Sequence, residues 1–421
     1  MNYEETLTFL YSQLPIFQRI GAAAYKANLD NTYALMEVLN QPHKQFKSVH
    51  IAGTNGKGST AHLLASIYQE AGYKTGLYTS PHLKDFRERI RVNGEMAAKE
   101  FVVEFVEKYA QKFTSISPSF FELTMAMAFQ YFVEKEVDIV ILETGLGGRL
   151  DSTNIVIPEL AIITNIGKDH MRFLGETLAA IASEKAGIIK ANTPILIGEK
   201  QSEIQSVFKE KALELNAPLF YADDLVKLEQ NKSDSFAFSI EMKNKQGIDE
   251  LHFPLKGSYQ TNNLKTAISS ALLLDLPLDK IKIGIENVLT NTHFAGRWQI
   301  LSKNPLTICD TAHNEDGLRY VVDQLAKTPH KTLHFVLGVV NDKDIGHILE
   351  LLPKTARYYF CKADIPRGLD AEILQLKANQ IGLAGEVYSS VIVALKAAQK
   401  AALEGDLVFI GGSTFTVAEV V

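Results

Sequence analysis

Residues Val49–Thr60 read VHIAGTNGKGST and place a glycine-rich turn between an apolar strand and a helix. We predict that the strand ends at Ala52 and that the helix covers 62–71, where small and apolar residues recur at helical spacing. Glycines in such a turn let backbone N–H groups converge on phosphate oxygens, and Lys57 reaches the outer phosphates. The stretch therefore predicts a triphosphate-binding loop; a glycine-rich turn without a ligand is the alternative.

The predicted loop departs from the common nucleotide-loop pattern in two places. The residue six before Lys57 is Ile51 rather than glycine, and Gly58 separates Lys57 from Ser59. A hydroxyl at Ser59 or Thr60 is suited to hold Mg2+. The loop alone therefore does not assign the chain to the GTPases or the kinases.

Composition and length indicate an ordinary globular protein. A chain of 421 residues with 46% hydrophobic and 22% charged residues predicts two or three domains. The net charge of -6 argues against nucleic acid as a partner. The only cysteines are Cys309 and Cys361, which predicts no disulfide framework and a cytoplasmic location. Neither a signal-peptide pattern nor an apolar run of ~18 residues is seen, so we expect no membrane contact.

Apolar segments alternate with helical patterns through the first part of the chain, which predicts an α/β domain with a mainly parallel sheet. Within 236–253 the pattern changes to short alternating segments, which predict a small antiparallel region, and a helix follows over 259–274. The predicted strands are 49–52, 75–78, 137–143, 160–166 and 194–197, and the predicted helices are 100–113, 121–135 and 178–186.

A second α/β series follows Arg297. We place the domain boundary near 294–298, so that an N-terminal P-loop-type domain covers 1–294 and a smaller Rossmann-like domain covers 298–421. The predicted strands of the second domain are 306–310, 332–337, 356–361 and 406–410, and its predicted helices are 317–325 and 391–402.

Polar residues follow several predicted strands at their carboxyl ends, where ligands of open α/β sheets bind. Glu143 ends one strand and opens a glycine-rich segment, and its carboxylate is suited to Mg2+. His170 follows another predicted strand. It is a candidate metal ligand or hydrogen-bond donor to phosphate, and an ordinary surface or packed histidine is the alternative. Lys185, near a helix end, is either a lysine in an enclosed site, whose pKa shifts readily, or a solvated one.

The second domain presents a similar cluster. Asp310, His313 and Asn314 follow an apolar strand, and Arg297 at the domain junction is suited to a phosphate. Each has an alternative role, because Asp and Asn cap helices and Arg pairs with surface acids.

Six segments occur together in an order that identifies a family. They are Gly53–Ser59, Thr79–Leu83 (TSPHL), Glu143–Asp151 (ETGLGGRLD), Asp169-His170, Ser183–Gly187 (SEKAG) and Asp310–Asn314 (DTAHN). Over nearly its whole length the chain resembles the bacterial folylpolyglutamate synthase/dihydrofolate synthase family of the Mur ligase superfamily. The segment FRERI at 86–90, after the Ser-Pro-His-Leu motif, is specific for the folate branch.

The resemblance implies a ligase with a two-step reaction. ATP phosphorylates the terminal carboxylate of a pterin substrate, and the amine of L-glutamate then attacks the acyl phosphate to form an amide. The expected substrates are 7,8-dihydropteroate and the gamma-carboxylate of reduced folates; activity on reduced folates alone is the alternative. The family resemblance also implies a monomer. The rivals are a cell-wall amino-acid ligase, for whose N-terminal domain the chain leaves no room before Gly53, and a non-catalytic ATP-binding scaffold.

The resemblance also implies roles for individual residues. Lys57, Lys185 and His313 are the expected catalytic residues, and Phe17–Lys26 is expected to help form the pterin pocket. The expected ATP contacts are Asn55, Gly56, Lys57, Gly58, Ser59, Asn263, Arg297 and Asp310. The expected ligands of two Mg2+ ions are Ser80, Glu143, His170 and a carbamylated Lys185. The expected pterin contacts are Ser119, Phe120, Phe121, Glu122, Leu150, Asp151 and Ser152.

Three positions depart from the common family pattern. Tyr259 stands where a histidine is usual, and Thr311 stands where a glycine is more frequent after the aspartate. Asn262 lies beside Asn263, so either asparagine is a candidate for the ATP contact. A scaffold protein is expected to lack some of the residues that phosphoryl transfer needs, whereas Lys57, Glu143, His170 and Lys185 are all present.

Overall fold

The protein is described by a computed structural model that covers residues 1–14, 28–231, 236–243, 245–341 and 345–421. The described chain forms two compact units. The first consists of Met1–Pro254 and Gln260–Phe294, and the second of Leu255–Tyr259 and Ala295–Val421. Each unit has its own sheet and its own hydrophobic core.

The first unit is built on an eight-stranded sheet with the order β4-β3-β2-β5-β1-β6-β7-β8. Strands β2, β5, β1, β6, β7 and β8 are parallel, while β3 and β4 add an antiparallel edge. Every residue of β2, β5 and β6 is buried, as expected for strands covered on both faces. The strands are β1 Lys47–Ala52, β2 Thr75–Tyr78, β3 Ile90–Val92, β4 Glu95–Met96, β5 Ile139–Glu143, β6 Leu160–Ile163, β7 Ile195–Ile197 and β8 Leu219–Tyr221.

Helices cover this sheet, and the unit also contains a three-stranded antiparallel sheet. Two of its strands confirm the antiparallel region predicted within 236–253, and the third, at 226–230, was not predicted. That sheet has the order β11-β10-β9, with β9 Val226–Gln230, β10 Ala237–Met242 and β11 Lys245–His252. The helices are α1 Tyr3–Gln13, α2 Asp30–Val38, α3 Lys57–Glu70, α4 Lys99–Phe113, α5 Phe120–Glu134, α6 Met171–Leu174, α7 Leu178–Ala186, α8 Gln205–Glu214, α9 Ala222–Leu225, α10 Gln260–Leu273, α11 Leu278–Glu286 and α12 Val288–Thr292.

Helix α3 begins at Lys57, five residues before the predicted start at His62. Gly56 caps it in the left-handed conformation, with φ +83°. Lys57–Thr60 therefore form the first turn of the helix, and Gly53–Gly56 form the loop ahead of it. The predicted start at residue 62 was wrong because glycine has a low helix propensity, which disfavours a helix that includes Gly58. Contacts with other parts of the fold outweigh this low propensity.

The second unit is a six-stranded sheet with the order β12-β13-β17-β14-β15-β16, in which only β12 is antiparallel to its neighbour. The strands are β12 Gln299–Lys303, β13 Leu306–Cys309, β14 Leu333–Leu337, β15 Arg357–Phe360, β16 Gly385–Val387 and β17 Leu407–Gly411. The helices are α13 Glu315–Lys327, α14 Ile345–Glu350, α15 Ala371–Gln380, α16 Val391–Ala401 and α17 Thr414–Ala418.

Aromatic residues fill one face of the second sheet. Phe335 stacks on Tyr358 at 5.5 Å and meets Phe409 edge-on at 5.0 Å. The α/β architecture predicted for both parts of the chain is confirmed. Among the described residues, we find no helix with the length and apolar character needed to cross a bilayer.

Candidate functional site: a phosphate loop with two lysines

The turn between β1 and α3 needs glycine at two positions. Gly53 (φ +148°) and Gly56 (φ +83°) have backbone conformations that other residues rarely adopt. A Cβ atom at Gly53 would collide with the Thr164 hydroxyl, and one at Gly56 would collide with the Asn263 amide. The turn is therefore packed closely against its neighbours, with the N-terminus of α3 pointing its N–H groups into it.

The loop is tied to the end of β6 by reciprocal hydrogen bonds. The Asn55 N–H donates to Asn165 Oδ1 at 2.9 Å, and the Thr54 N–H donates to the Asn165 carbonyl at 3.0 Å. The Thr54 hydroxyl donates to the Gly167 carbonyl at 3.1 Å, and the Gly167 N–H donates back at 2.9 Å. Two neighbouring strand ends therefore share one loop, and these supporting contacts were not foreseen from the sequence.

Two lysines meet at a single backbone carbonyl of the loop. Lys57 Nζ donates to the Gly53 carbonyl at 3.0 Å and to the Thr54 carbonyl at 3.2 Å, and Lys185 Nζ donates to the Gly53 carbonyl at 2.9 Å. Lys185 is only 4% exposed, so it is not the solvated helical lysine that the sequence left open. Burial, with the nearby charge of Lys57, lowers the pKa of Lys185 to about 7.

Glu143 lies at the carboxyl end of β5, close to the first turn of α3. Its Oε2 accepts the Ser80 N–H at 2.9 Å, and a Cβ atom at Gly58 would lie 3.6 Å from its Oε1. The carboxylate is almost fully buried and benefits from the positive end of the helix dipole. The structure thus brings Ser80, Glu143 and the phosphate loop together, as the sequence analysis expected.

The donor set around Glu143 suits a hard divalent cation. The Glu143 carboxylate and the Ser80 hydroxyl offer oxygens, which Mg2+ prefers and which water and phosphate oxygens usually supplement. Across the described ranges, no group of three or more His, Cys, Asp or Glu side chains could by itself hold a metal ion. A cation beside the Glu143 carboxylate would therefore need further oxygens, which water or a bound phosphate would supply.

His170 stands beside Asp169, just before α6. Its backbone is left-handed (φ 52°), its N–H donates to Asp169 Oδ1 at 2.8 Å, and its ring Nε2 lies 3.9 Å from Asp169 Oδ2. The side chain is half-buried rather than a fully exposed surface residue. Its role as a metal ligand stays a prediction.

Asp151 organises the glycine-rich segment after β5. Its Oδ2 accepts the N–H groups of Gly145 at 2.8 Å and Leu146 at 2.9 Å, and its Oδ1 accepts that of Thr153 at 3.0 Å. The carboxylate is buried, which raises its pKa against the opposing effect of these hydrogen bonds. Asp151 therefore stabilises the turn through hydrogen bonds. The sequence analysis had assigned it only a pterin contact and had not predicted this structural role.

The second group of expected pterin contacts lies at the start of α5. Ser119 and Glu122 form a capping box: the Glu122 N–H donates to Ser119 Oγ at 3.2 Å, and the Ser119 N–H donates to Glu122 Oε2 at 2.6 Å. Phe120 stacks on Tyr11 at 5.5 Å. The pterin-binding role of this turn, and of Phe121, Leu150 and Ser152, stays a prediction, and Phe17–Lys26 lies outside the described residues.

Asn263, rather than Asn262, faces the phosphate loop. A Cβ atom at Gly56 would collide with the Asn263 side chain, which also donates to Gln260 Oε1 at 2.8 Å. Asn262 instead hydrogen-bonds the half-buried carboxyl of Glu199. Of the two asparagines that the sequence left open, the structure puts Asn263 against the loop.

In the second unit, Asp310 follows β13 and is 1% exposed. It accepts the N–H groups of Trp298 at Oδ2 (2.8 Å) and Ala312 at Oδ1 (2.8 Å), and the Tyr259 hydroxyl at Oδ2. Burial raises its pKa, while the charge of Arg297 opposes the shift. Asp310 is thus a firmly held carboxylate whose partner Tyr259 the sequence noted only as a departure.

His313 and Asn314 continue from Asp310 toward α13. His313 Nδ1 donates to the Thr311 carbonyl at 3.0 Å, because a carbonyl oxygen can only accept. Asn314 Oδ1 accepts the Gly317 N–H at 2.9 Å and caps α13, so the helix-cap alternative for Asn314 is correct. The half-buried Arg297 lies one residue before Trp298, near Asp310.

Two family models match the chain and define its class. Residues 51–271 match the Mur ligase middle domain, and residues 296–414 match the Mur ligase, glutamate ligase domain. The phosphate loop lies within the first match and Asp310 within the second.

Individual relatives narrow the class. The dihydrofolate synthase/folylpolyglutamate synthase of Escherichia coli is 35% identical over 382 residues, which cover 88% of this chain and 85% of the relative. A probable bifunctional folylpolyglutamate synthase/dihydropteroate synthase of Haloferax volcanii is 34% identical over 429 residues. The match includes 100% of this chain, which spans only 50% of the length of that relative. The chain belongs to the folylpolyglutamate synthase/dihydrofolate synthase family.

A solved structure agrees with this family. A bifunctional folylpolyglutamate synthase/dihydrofolate synthase with Mn, AMPPNP and L-glutamate bound superposes with a TM-score of 0.85 at 31% identity, and covers 100% of this chain and 97% of that chain. The family resemblance drawn from the motifs is therefore confirmed.

Proposed function

We propose that the protein is an ATP-dependent ligase that joins L-glutamate to 7,8-dihydropteroate and to the gamma-carboxylate of reduced folates. The observation that carries the proposal is the phosphate loop on which Lys57 and the buried Lys185 meet at the Gly53 carbonyl. Family membership and the activities named for the relatives support it.

Phosphoryl transfer needs positioning and electrostatic stabilisation, and the loop residues are suited to both. In this proposal Asn55, Gly56, Lys57, Gly58 and Ser59 hold the triphosphate, because they lie at the N-terminus of α3. The remaining proposed ATP contacts are Asn263, Arg297 and Asp310.

Ser80, Glu143 and His170 are the residues proposed to hold Mg2+. When bound, the cation neutralises charge on the transferring phosphoryl group. Support comes from the Glu143 carboxylate, which the Ser80 N–H holds beside α3, and from the Mn in the solved relative. The chain's own task there is to fix the Glu143 carboxylate, which the Ser80 N–H does.

Lys185 is proposed to carry a carbamate. Its neutral amine would add to the carbon of CO2, so that an N–C bond forms while the electrons of one C=O π bond move onto oxygen. The nitrogen would release a proton to water, which leaves Lys185 with an N-carboxylate. A pKa of about 7 supports this step, since a substantial fraction of the amine is neutral at physiological pH. The new carboxylate would supply ligands for a second Mg2+ beside the phosphate loop.

The organic substrates are assigned to two further groups. The pterin is proposed to contact Ser119, Phe120, Phe121 and Glu122 at the start of α5, together with Leu150, Asp151 and Ser152. His313, whose Nδ1 is held by the Thr311 carbonyl, is proposed to serve the glutamate or the phosphate. We also propose that the protein works as a cytoplasmic monomer, with the catalytic domain over 1–294 and the ligase domain over 298–421.

The decisive experiment measures ADP release with Mg2+, ATP and L-glutamate, comparing 7,8-dihydropteroate with tetrahydrofolate and identifying the products by mass. Glutamate-dependent turnover of both substrates is the expected result. Turnover of tetrahydrofolate alone would restrict the activity to the lengthening of glutamate tails. Turnover of neither, with ATP still bound, would overturn the proposal in favour of a non-catalytic nucleotide-binding protein.

A further inference from the structure

Asp310 has a side-chain partner from a distant part of the sequence. The Tyr259 hydroxyl donates to Asp310 Oδ2, although the two residues lie 51 positions apart in the sequence. Tyr259 stands where the family pattern usually has a histidine. The bond is direct, and its acceptor is a residue that is expected to contact ATP.

The hydrogen bond matters because Asp310 is buried. A buried carboxylate is costly unless donors surround it, and Asp310 has three: the N–H groups of Trp298 and Ala312 and the hydroxyl of Tyr259. The two N–H groups are fixed by the backbone. Of these three hydrogen-bond donors, only the Tyr259 hydroxyl belongs to a side chain, so a substitution can remove it.

Packing fixes the position of the Tyr259 ring. A Cβ atom at Gly257 would lie 2.7 Å from Cε1 of that ring, so the ring rests directly against the glycine backbone. Tyr320 of α13 packs edge-on against it at 6.2 Å. Burial, with the charge of Asp310, raises the pKa of Tyr259 well above its ordinary value, so the hydroxyl remains protonated and keeps donating.

We propose that Tyr259 is a positioning residue for nucleotide binding, whose hydroxyl holds the Asp310 carboxylate in the orientation that ATP requires. This inference rests on the proposed function, in which Asp310 contacts ATP. A histidine also offers an N–H donor at this position, whereas a phenylalanine keeps the ring and removes the donor. The two substitutions therefore separate hydrogen bonding from packing.

The test compares Tyr259→Phe and Tyr259→His with the wild-type chain. ATP affinity is measured by titration calorimetry, and the KM for ATP is measured in the ligase assay. A hydrogen bond to a charged group is worth enough to change affinity about tenfold or more. We expect Tyr259→Phe to raise the Kd and KM for ATP by about that factor, with the KM for L-glutamate within about twofold, and Tyr259→His to restore ATP affinity to within about threefold.

Tyr358→Phe is the matched control. The Tyr358 hydroxyl lies in the same unit and donates to the Pro353 carbonyl at 2.7 Å, remote from Asp310 in the sequence. Its removal is expected to leave the Kd for ATP unchanged. Gly257→Ala, which displaces the Tyr259 ring without removing its hydroxyl, is expected to weaken ATP binding as Tyr259→Phe does.

Two further readouts distinguish positioning from general stability. In an Asp310→Asn background, Tyr259→Phe should add little further loss, since both changes act on one contact. The Tyr259 hydrogen bond lowers the pKa of Asp310, so its loss should move the acid limb of kcat/KM for ATP to higher pH.

Additive losses, or an unchanged Kd and pH profile in Tyr259→Phe, would overturn the inference while leaving the ligase proposal intact. A wild-type chain that binds ATP but does not ligate would overturn the ligase proposal, and the Kd values would still decide the role of Tyr259. A wild-type chain that binds no ATP would overturn both.

Discussion

Lys185 differs from an ordinary lysine because its amine is enclosed beside a second cation. Its Nζ is bonded to the Gly53 carbonyl, and no carboxylate is bonded to it among the hydrogen bonds and ion pairs of the described ranges. The sequence suggested an enclosed lysine only as one of two alternatives, because the spacing of a helix does not reveal what covers its end. The burial arises from the loop that β1 and α3 bring over it.

Lys185→Ala is expected to lower kcat for ligation about 100-fold or more, because a proposed metal ligand is lost. Lys190→Ala is the control, since Lys190 Nζ also donates to a backbone carbonyl, that of Asn154, at 2.8 Å. Steady-state kinetics with and without added bicarbonate provide the measurement. Wild-type rates in Lys185→Ala would show that the assignment of this lysine is wrong.

The activity of the wild-type chain should also depend on pH through Lys185. Its folded-state pKa is lowered to about 7, so the amine is neutral above that pH and protonated below it. Only the neutral amine reacts with CO2, and activity is therefore expected to fall as the pH decreases through about 7. Rates measured from about pH 6 to about pH 9 at constant dissolved CO2 test this; a profile without an inflection near neutrality would contradict it.

At the scale of elements, α3 is bounded by two left-handed glycines that differ in their surroundings. Gly56 at its N-terminus (φ +83°) meets Asn263, whereas Gly72 after its C-terminus (φ +88°) has nothing within 4 Å of the position where a Cβ atom would lie. The same substitution at the two ends therefore separates backbone strain from steric conflict.

Gly56→Ala is expected to weaken ATP binding about 100-fold or more, because the new methyl group forces Asn263 and the loop apart. Gly72→Ala should cost about 1–2 kcal/mol of unfolding free energy through the left-handed backbone alone and keep its ATP affinity. Calorimetric titration with ATP and denaturant unfolding measure the two effects. Equal ATP affinities in the two variants would refute the steric argument.

The elements that the sequence predicted well are those with a strong pattern. Strands β2 and β5, buried throughout, and the amphipathic helix α4 were found within a few residues. By contrast, no element was assigned to 278–292, which forms α11 and α12. That segment contains IKIGI (Ile281–Ile285), whose alternation obscures helical spacing, and Gly284 within it packs against Ile67 of α3, a contact that the local sequence does not encode.

At the scale of the molecule, ligand binding should stabilise the folded chain. A ligand that binds only the folded state at about 100 times its Kd adds about 2.7 kcal/mol to the unfolding free energy. MgATP is therefore expected to raise the unfolding temperature of the wild-type chain and to have little effect on Lys57→Met. Lys211→Met, which removes an exposed lysine paired with Glu214 on α8, should keep the ATP response. Thermal unfolding followed with and without MgATP provides the comparison, and an equal response of both variants would contradict it.

The division into two α/β parts could be predicted because each part has its own series of apolar strands. The polar clusters at strand ends could be found for the same reason, since Glu143 and Asp310 both directly follow buried segments. The hydrogen bonds that hold these carboxylates could not be predicted, although the family resemblance had grouped Ser80 with Glu143 as metal ligands. Ser80 and Tyr259 are distant in sequence and reach them only through the tertiary fold.

Lys57 is bonded to two carbonyl oxygens of its own loop, those of Gly53 and Thr54. A phosphate that draws this ammonium toward itself must compete with both carbonyls, so nucleotide recognition is an exchange of partners rather than the simple addition of a contact. A neutral nucleoside offers the ammonium too little in return. The loop should therefore select its ligand by charge before it selects by base, with adenosine a poor competitor against ATP.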